Sequence, residues 1–356
     1  MADKQNLTAQ QRAALFAMST RQNIQMLPTE TATSGATTLQ FQLPKARLLS
    51  SILVNVEAKI NIKHATKTSI ESDMFTPYKL LRRISLDLNN SFVPFTISGK
   101  EACMYNMIDI HPDIVAPVST SKLAYAYAPN FVASSAGTDN EFSFTVNLTN
   151  TTNPRDPVGL ISLQHSTALV NLVCDIANGA DMFKDTEGYT IDIKEVKVTP
   201  MVETFSFPAN AEAVPDLSVL KICNGRVDSM PSVGQQIIKL TTGQIYRKII
   251  LYLEDENGAP LTPDKINSTI DIVFNQADIN YAVNPKLLHI YNQKMLGYEL
   301  PAGMYVFDFS NSGSFANLGG TRDFIDSANL SELWLRFNTT VKGKATIVTE
   351  CLSRLV

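Results

Sequence analysis

From Leu39 onward, apolar and polar residues alternate in runs that read as strands. In one run Ile52, Val54, Val56, Ala58, Ile60 and Ile62 fall on one side, and Leu53, Asn55, Glu57, Lys59, Asn61 and Lys63 on the other. A period of two over that length predicts a long strand with one face in a core. The same alternation runs through Ile84-Leu86-Leu88, Phe142-Phe144-Val146-Leu148, Ile249-Leu251-Leu253, Ile270-Ile272-Phe274 and Tyr305-Phe307-Phe309. The pairs Ile191-Ile193 and Val196-Val198 are out of phase across Lys194-Glu195. A β-bulge there would return both pairs to one face. Helical patterns are few. Gly99 to Ile110 is one, and Pro157 to Gln164 is a short third element. Pro285 to Leu296 is the clearest, with Asn284 as N-cap, Pro285 at the first helical position and Gly297 just past the end.

The first 38 residues differ. Leu7 to Met26 is rich in Gln and Ala and has neither Gly nor Pro. Thr8-Ala9-Gln10-Gln11 fits a capping box, so a helix is expected from about Ala9. Thr29 to Thr38 reads as a linker. The helix has a poor apolar face: Leu7, Ala14 and Met18 lie on one side while Leu15 and Phe16 point elsewhere. Alone in water such a helix is marginal, so it is expected to fold against a partner surface. Lys4, Arg12 and Arg21 outnumber Asp3, which suits an anionic lipid surface at about 1 kcal/mol per basic residue. Leu7, Arg12, Leu15, Phe16, Met18 and Arg21 are therefore the candidates for membrane or inter-subunit contact. The alternative is a helix packed on the chain's own first barrel.

The strand pattern repeats. Leu81-Arg82-Arg83-Ile84-Ser85-Leu86-Asp87-Leu88 can be laid on Tyr246-Arg247-Lys248-Ile249-Ile250-Leu251-Tyr252-Leu253, each a basic pair followed by a strand, a polar turn and a proline. The two basic pairs are thus expected at equivalent places. Leu169-Val170-Asn171-Leu172 and Leu333-Trp334-Leu335-Arg336 recur at a similar offset, each followed by one last strand. Long connections, one of them carrying a helix, fit a jelly roll better than an immunoglobulin-like sandwich. The expected fold is all-β: two tandem eight-stranded jelly rolls with few short helices and an N-terminal helix. Residues 1–38 would be helix and linker, 39–207 the first roll and 208–356 the second, with the boundary near Pro208 to Pro215.

Composition narrows the function. Charged residues are 18%, against about 25% in ordinary domains, and the net charge is −4. A surface so poor in charge suits packing against copies of itself and argues against sequence-specific nucleic-acid binding, whose footprint is basic. No apolar run approaches the roughly 20 residues of a membrane span. The six-residue run Ala13 to Met18 is too short for a secretory core of about 7–15 residues. Neither secretion by that route nor membrane insertion is expected. Cys103, Cys174, Cys223 and Cys351 are far apart and read as free thiols.

Catalytic signatures are missing. There is no GxSxG, HExxH or Walker A pattern, and Gly319-Gly320 reads as a turn. His64, His111, His165 and His289 lack metal-ligand spacing. Glu254-Asp255-Glu256-Asn257-Gly258 reads as a turn rather than a calcium loop. Cys103 and His111 have no orienting third group, and Trp334 is expected in the core. No enzyme activity, cofactor or metal is expected.

These residues resemble the major capsid proteins of tectiviruses, icosahedral bacterial viruses with a membrane inside the shell. The resemblance is carried by Leu7-Thr8-Ala9-Gln10-Gln11-Arg12-Ala13-Ala14-Leu15 and by Asn61-Ile62-Lys63-His64-Ala65-Thr66 at a strand end. Phe75-Thr76-Pro77 leading into Leu80 to Ile84, and Pro301-Ala302-Gly303-Met304-Tyr305 after the second helix, extend it. The region Asp109 to Asn140 departs from the pattern. The resemblance implies a double jelly-roll coat subunit, made in the host cytoplasm and located in the virion. Three copies would form a pseudo-hexagonal block that packs against neighbouring trimers. The shell would lie over an internal viral membrane, with a separate vertex protein, and the N-terminal helix would sit beneath it. The competing function is a viral attachment or carbohydrate-binding jelly-roll protein; a β-sandwich glycosidase would need a carboxylate pair that the sequence does not name.

Overall fold

The structure is a computed structural model. It describes residues 8–354 apart from 46, 89–91, 110–129, 152–157, 164–169, 210–212, 215 and 311–323. The side chains of residues 9, 10, 12, 13 and 109 are also outside the description.

Two sets of strands repeat one topology. In the first set, β1 (Gln22–Met26) and β2 (Glu30–Ala32) share one edge position; β3 (Thr38–Gln42), β4 (Leu48–His64), β5 (Leu81–Leu88) and β6 (Phe92–Ile97) follow. After helix α2 (Gly99–Asp109; α1 is Ala9–Ser19) come β7 (Thr138–Thr149), β8 (Val170–Ile176) and β9 (Tyr189–Phe205). One sheet runs β1/β2–β9–β4–β7, the other β3–β8–β5–β6. The second set is β10 (Val219–Met230), β11 (Gly234–Leu240), β12 (Ile245–Asp255), β13 (Ile270–Phe274) and β14 (Asp278–Val283). Helix α3 (Pro285–Leu296) leads to β15 (Met304–Asp308), β16 (Leu333–Thr339) and β17 (Gly343–Arg354). Its sheets run β10–β17–β12–β15 and β11–β16–β13–β14. With β1 and β2 counted as one position and the two-residue strands left aside, each set has eight strands among the described residues, in the same order. This is a double jelly roll, with each helix between the fifth and sixth strands.

The elements follow from the pattern of side chains. Along β4 the whole expected apolar set, Ile52 through Ile62, is buried. Its long pairings with β9 and β7 give every central backbone group a partner. The register of β9 against β4 shifts between Ile193 and Glu195, which is the expected bulge at Lys194. Thr8 and Gln11 make the reciprocal capping box of α1. In α3, Asn284 accepts from the Lys286 and Leu287 amides, and Gly297 closes the helix at φ 82°, a conformation that favours glycine.

Several expectations are overturned. Residues 22–26 and 30–32, expected as helix and linker, are strands paired to β9. They form a sheet edge whose outward side chains are exposed, so apolar period is weak there. The two basic pairs are not equivalent. Arg82 and Arg83 lie on β5, in the third position of one sheet, and are exposed at 61% and 53%. Arg247 and Lys248 lie on β12, equivalent to β4, and are buried. A basic doublet carries no information about which face of a sheet it occupies. Trp334 also faces away from the core. Leu333, Leu335 and Phe337 take the inward positions of β16, which leaves Trp334 half-buried on the outer face with the Lys239 ammonium 5.7 Å from its ring. Part of Pro157 to Gln164 lies outside the described residues; the rest includes a two-residue strand, Ile161–Ser162, on the end of β4.

The rolls are joined through one sheet. Strands β6 and β10 pair in parallel, Cys223 opposite Phe95 and Asn224 opposite Thr96. The sheet therefore runs unbroken from β3 of the first roll to β15 of the second. One face of it is the inside of the first roll and the outside of the second. The first core accordingly continues beyond its own roll, taking in Cys223, Ile250, Tyr252, Val306 and Val348. A separate core fills the second roll, built on residues such as Ile249, Leu251, Tyr305, Leu335 and Ile347.

Candidate assembly surfaces

The joint between the rolls is built on α2. Ser98 caps it: the Glu101 amide donates to Ser98 Oγ at 3.3 Å, and the Ser98 amide donates to Glu101 Oε2 at 2.6 Å. The capped helix lies on the outer face of β10, β17 and β12 and is buried along Glu101 to Ile108. Gly225 of β10 makes room for its first turn, because a Cβ there would stand 2.1 Å from Glu101 Oε2. Burial pushes the Glu101 carboxyl up, opposed by the hydrogen bonds from Ser98. Gly225→Ala should therefore force the capping carboxylate aside and lower stability by about 1–3 kcal/mol; a denaturant midpoint equal to that of the natural chain would show that the helix end yields freely.

A charged cluster sits at the centre of the joint. Glu350 of β17 accepts from Arg247 Nε at 2.9 Å and from Lys248 Nζ at 3.3 Å. Tyr105 of α2 donates its hydroxyl to the same carboxylate and accepts from Lys221 Nζ at 2.9 Å. Glu350, Lys248, Lys221 and Tyr105 are each at most 3% exposed. Burial alone would raise the Glu350 carboxyl; Lys248, Lys221 and Arg247 outweigh it and hold the group well below the usual carboxylate range. At the rim, Lys100 bridges to Glu254 at 3.0 Å and lies 4.5 Å from the Tyr252 ring. Tyr298, beyond α3, donates to the carbonyl of Met107.

Both helices grip their rolls in the same way. In α2, Asn106 Nδ2 donates to the Asn147 carbonyl and its Oδ1 accepts the Asn147 amide, at 2.9 and 2.7 Å. In α3, Asn292 does the same to Val306, at 2.8 and 3.1 Å. Asn147 and Val306 lie on the equivalent strands β7 and β15. Sequence reading missed this repeat, although Tyr105-Asn106 and Tyr291-Asn292 occur at matching places in the two helices.

The N-terminal candidates separate. Leu7 and the Arg12 side chain lie outside the described residues. Phe16 packs into a small cluster with Leu48, Leu160, Phe205, Phe207 and Leu217, apart from both roll cores. Leu15 is half-buried, while Met18, 85% exposed, and Arg21 face outward. The Arg21 backbone is tied to Ser206 by two hydrogen bonds. Packing on the chain itself therefore anchors the helix and leaves Met18 exposed near its end, with Arg21 exposed just beyond it.

Among the described residues no group of His, Cys, Asp and Glu is arranged to hold a metal, and no helix is long and apolar enough to cross a membrane. The four cysteines are buried and form no disulfide; burial pushes the Cys174 thiol up to about 12.

No protein-family model and no curated protein matches the chain. Solved structures do match, over nearly the whole length. The crystal structure of the STIV MCP, from Sulfolobus Turreted Icosahedral Virus, superposes with a TM-score of 0.67 at 11% identity, covering 94% of this chain and 97% of its own. The PBCV-1 virus capsid protein gives 0.61 at 11% identity, covering 94% of each chain. The major capsid protein of bacteriophage PM2 gives 0.56 at 10% identity, covering 94% of this chain and 98% of its own. At such identities the likeness establishes the shared fold, the double jelly roll.

Proposed function

We propose that the chain is a major capsid protein, a homotrimeric coat subunit of an icosahedral virion. The observation that carries this reading is the double roll itself, matched end to end by the capsid proteins above. The low charge of the chain and the exposed apolar side chains on α3 support repeated contact with copies of itself. On this reading the first roll reaches back to Gln22, the second begins after about residue 207, and the subunit has a structural rather than an enzymatic role.

The N-terminal helix is the natural contact with an internal membrane or a neighbouring trimer beneath the shell, through Met18 and Arg21. A separate protein would occupy the vertices. Deletion of residues 1–19 leaves β1 in place and removes only α1. It should keep the trimer, lower stability by about 1–3 kcal/mol through loss of Phe16 burial, and abolish shell formation around membrane. A deletion variant that coats its membrane normally, as seen by electron microscopy of assembled particles, would contradict this role.

A further inference from the structure

Two landmarks place the rolls in residue-by-residue correspondence. The asparagine clamps align Asn106 with Asn292, hence Tyr105 with Tyr291, Met104 with Ile290 and Glu101 with Leu287. Bulges in β4 and β12 leave Ser50 and Arg247 without a ladder partner, which aligns Leu53 with Ile250 and Glu203 with Glu350. The landmarks agree, because Leu53 lies opposite Asn147 and Ile250 opposite Val306. Carried across the sheets, Met201 matches Val348, Ile24 matches Cys223 and Met26 matches Gly225.

The matched surfaces differ in what covers them. In the second roll, Cys223, Ile250 and Val348 are fully buried beneath α2. In the first roll the same positions are open: Ile24 is 57% and Met26 66% exposed, with Leu53 and Met201 half-buried beside them. The helix faces differ likewise. Tyr105 and Met104 are buried, whereas Leu287, Ile290 and Tyr291 are exposed at 61%, 50% and 51%. Leu287, Ile290 and Tyr291 are spaced as one stripe of a helix. So the chain carries one apolar helix face and one apolar sheet face, both uncovered, whose counterparts are already joined inside the same chain.

We infer that the exposed face of α3 docks on the outer face of β1, β9 and β4 of a second copy, repeating between chains the contact that α2 makes within one. Leu287 then lies over Met26, as Glu101 lies over Gly225. Tyr291 donates to Glu203 as Tyr105 donates to Glu350. Charge agrees with this pairing: exposed Lys286 matches Lys100 in the helix alignment and exposed Glu57 matches Glu254 in the strand alignment, and Lys100 and Glu254 bridge at 3.0 Å within the chain. The contact is head-to-tail, and such contacts close into rings when the rotation allows. First and second rolls then alternate round the ring. The inference rests on the reading of the chain as a self-assembling coat subunit and names the surface through which it assembles.

The test pairs Met26→Cys with Leu287→Cys in the full chain, whose natural thiols are all buried. Mild oxidation should convert most of the double variant to covalently linked trimers, with each single variant left unlinked. Leu287→Asp should shift the sedimenting species from trimer to monomer with the thermal midpoint of the monomer unchanged. A natural chain that sediments as a trimer while the double variant fails to link and Leu287→Asp stays trimeric would overturn this docking surface and leave the coat reading intact. A natural chain that stays monomeric at micromolar concentration would overturn both.

Discussion

Glu350→Ala should be among the most damaging single substitutions in this chain, with an expected loss of about 3–5 kcal/mol in folding stability. The carboxylate is shared by Arg247, Lys248 and Tyr105, with Lys221 3.8 Å away, and the whole group is buried where the two rolls meet. Removing this acid takes from Arg247, Lys248 and Lys221 the counter-charge they share, in a buried place. Tyr105→Phe removes only the hydroxyl and should cost less, about 1.5–3 kcal/mol for a hydrogen bond to a charged group. Denaturant unfolding of the two variants checks both the size and the order; a Glu350→Ala variant within about 0.5 kcal/mol of the natural chain would contradict the account. The same group sets a pH dependence. Its carboxyl is held below its unfolded value, so its contribution is fully present above the unfolded pKa of about 4.3. That contribution is lost progressively as pH falls below this value toward the depressed folded pKa.

The second large effect concerns the asparagine clamps. Asn292→Ala removes two hydrogen bonds to Val306 at once and leaves a buried amide and carbonyl of β15 unsatisfied. At about 1–3 kcal/mol for each buried group left unsatisfied, the expected cost is roughly 2–4 kcal/mol. Asn106→Ala should behave alike, because Asn147 occupies the same place on β7. Asn292→Asp keeps an acceptor for the Val306 amide but sets a carboxylate against the Val306 carbonyl, so it should recover little. Calorimetric midpoints for the three variants test this, and a neutral Asn292→Ala would mean that the helix is held by apolar packing alone.

How much of this was legible beforehand depends on which physical signal each element carries. Strand β4 was plain, because six apolar positions at period two face one core. The bulge in β9 was also plain, since a slip of phase has one simple structural remedy. Helix α3 announced itself through local chemistry, Asn284, Pro285 and Gly297. Strand β1 was not legible. In Gln22-Asn23-Ile24-Gln25-Met26 four of five residues are exposed, and the segment is a strand only because β9 offers its edge. The repeat was inferred partly from the wrong residues. Basic pairs stand out in a sequence of low charge, but Arg82 and Arg83 are solvent-facing while Arg247 and Lys248 are buried around Glu350. The Tyr-Asn pair in each helix was the better marker, and its meaning appears only once the hydrogen bonds to the sixth strand of each roll, β7 and β15, are seen. The N-terminal candidate contacts do not share one environment, since Phe16 is held within the chain and Met18 is exposed, a difference that a weak apolar period does not encode.

The central claim is that three copies place six matching rolls around one axis. Negative-stain electron microscopy of the purified protein tests it most directly. The account predicts particles with a hexagonal outline and six lobes, whose mass in solution corresponds to three chains of 39.2 kDa. Two-lobed particles with the mass of a single chain would contradict it.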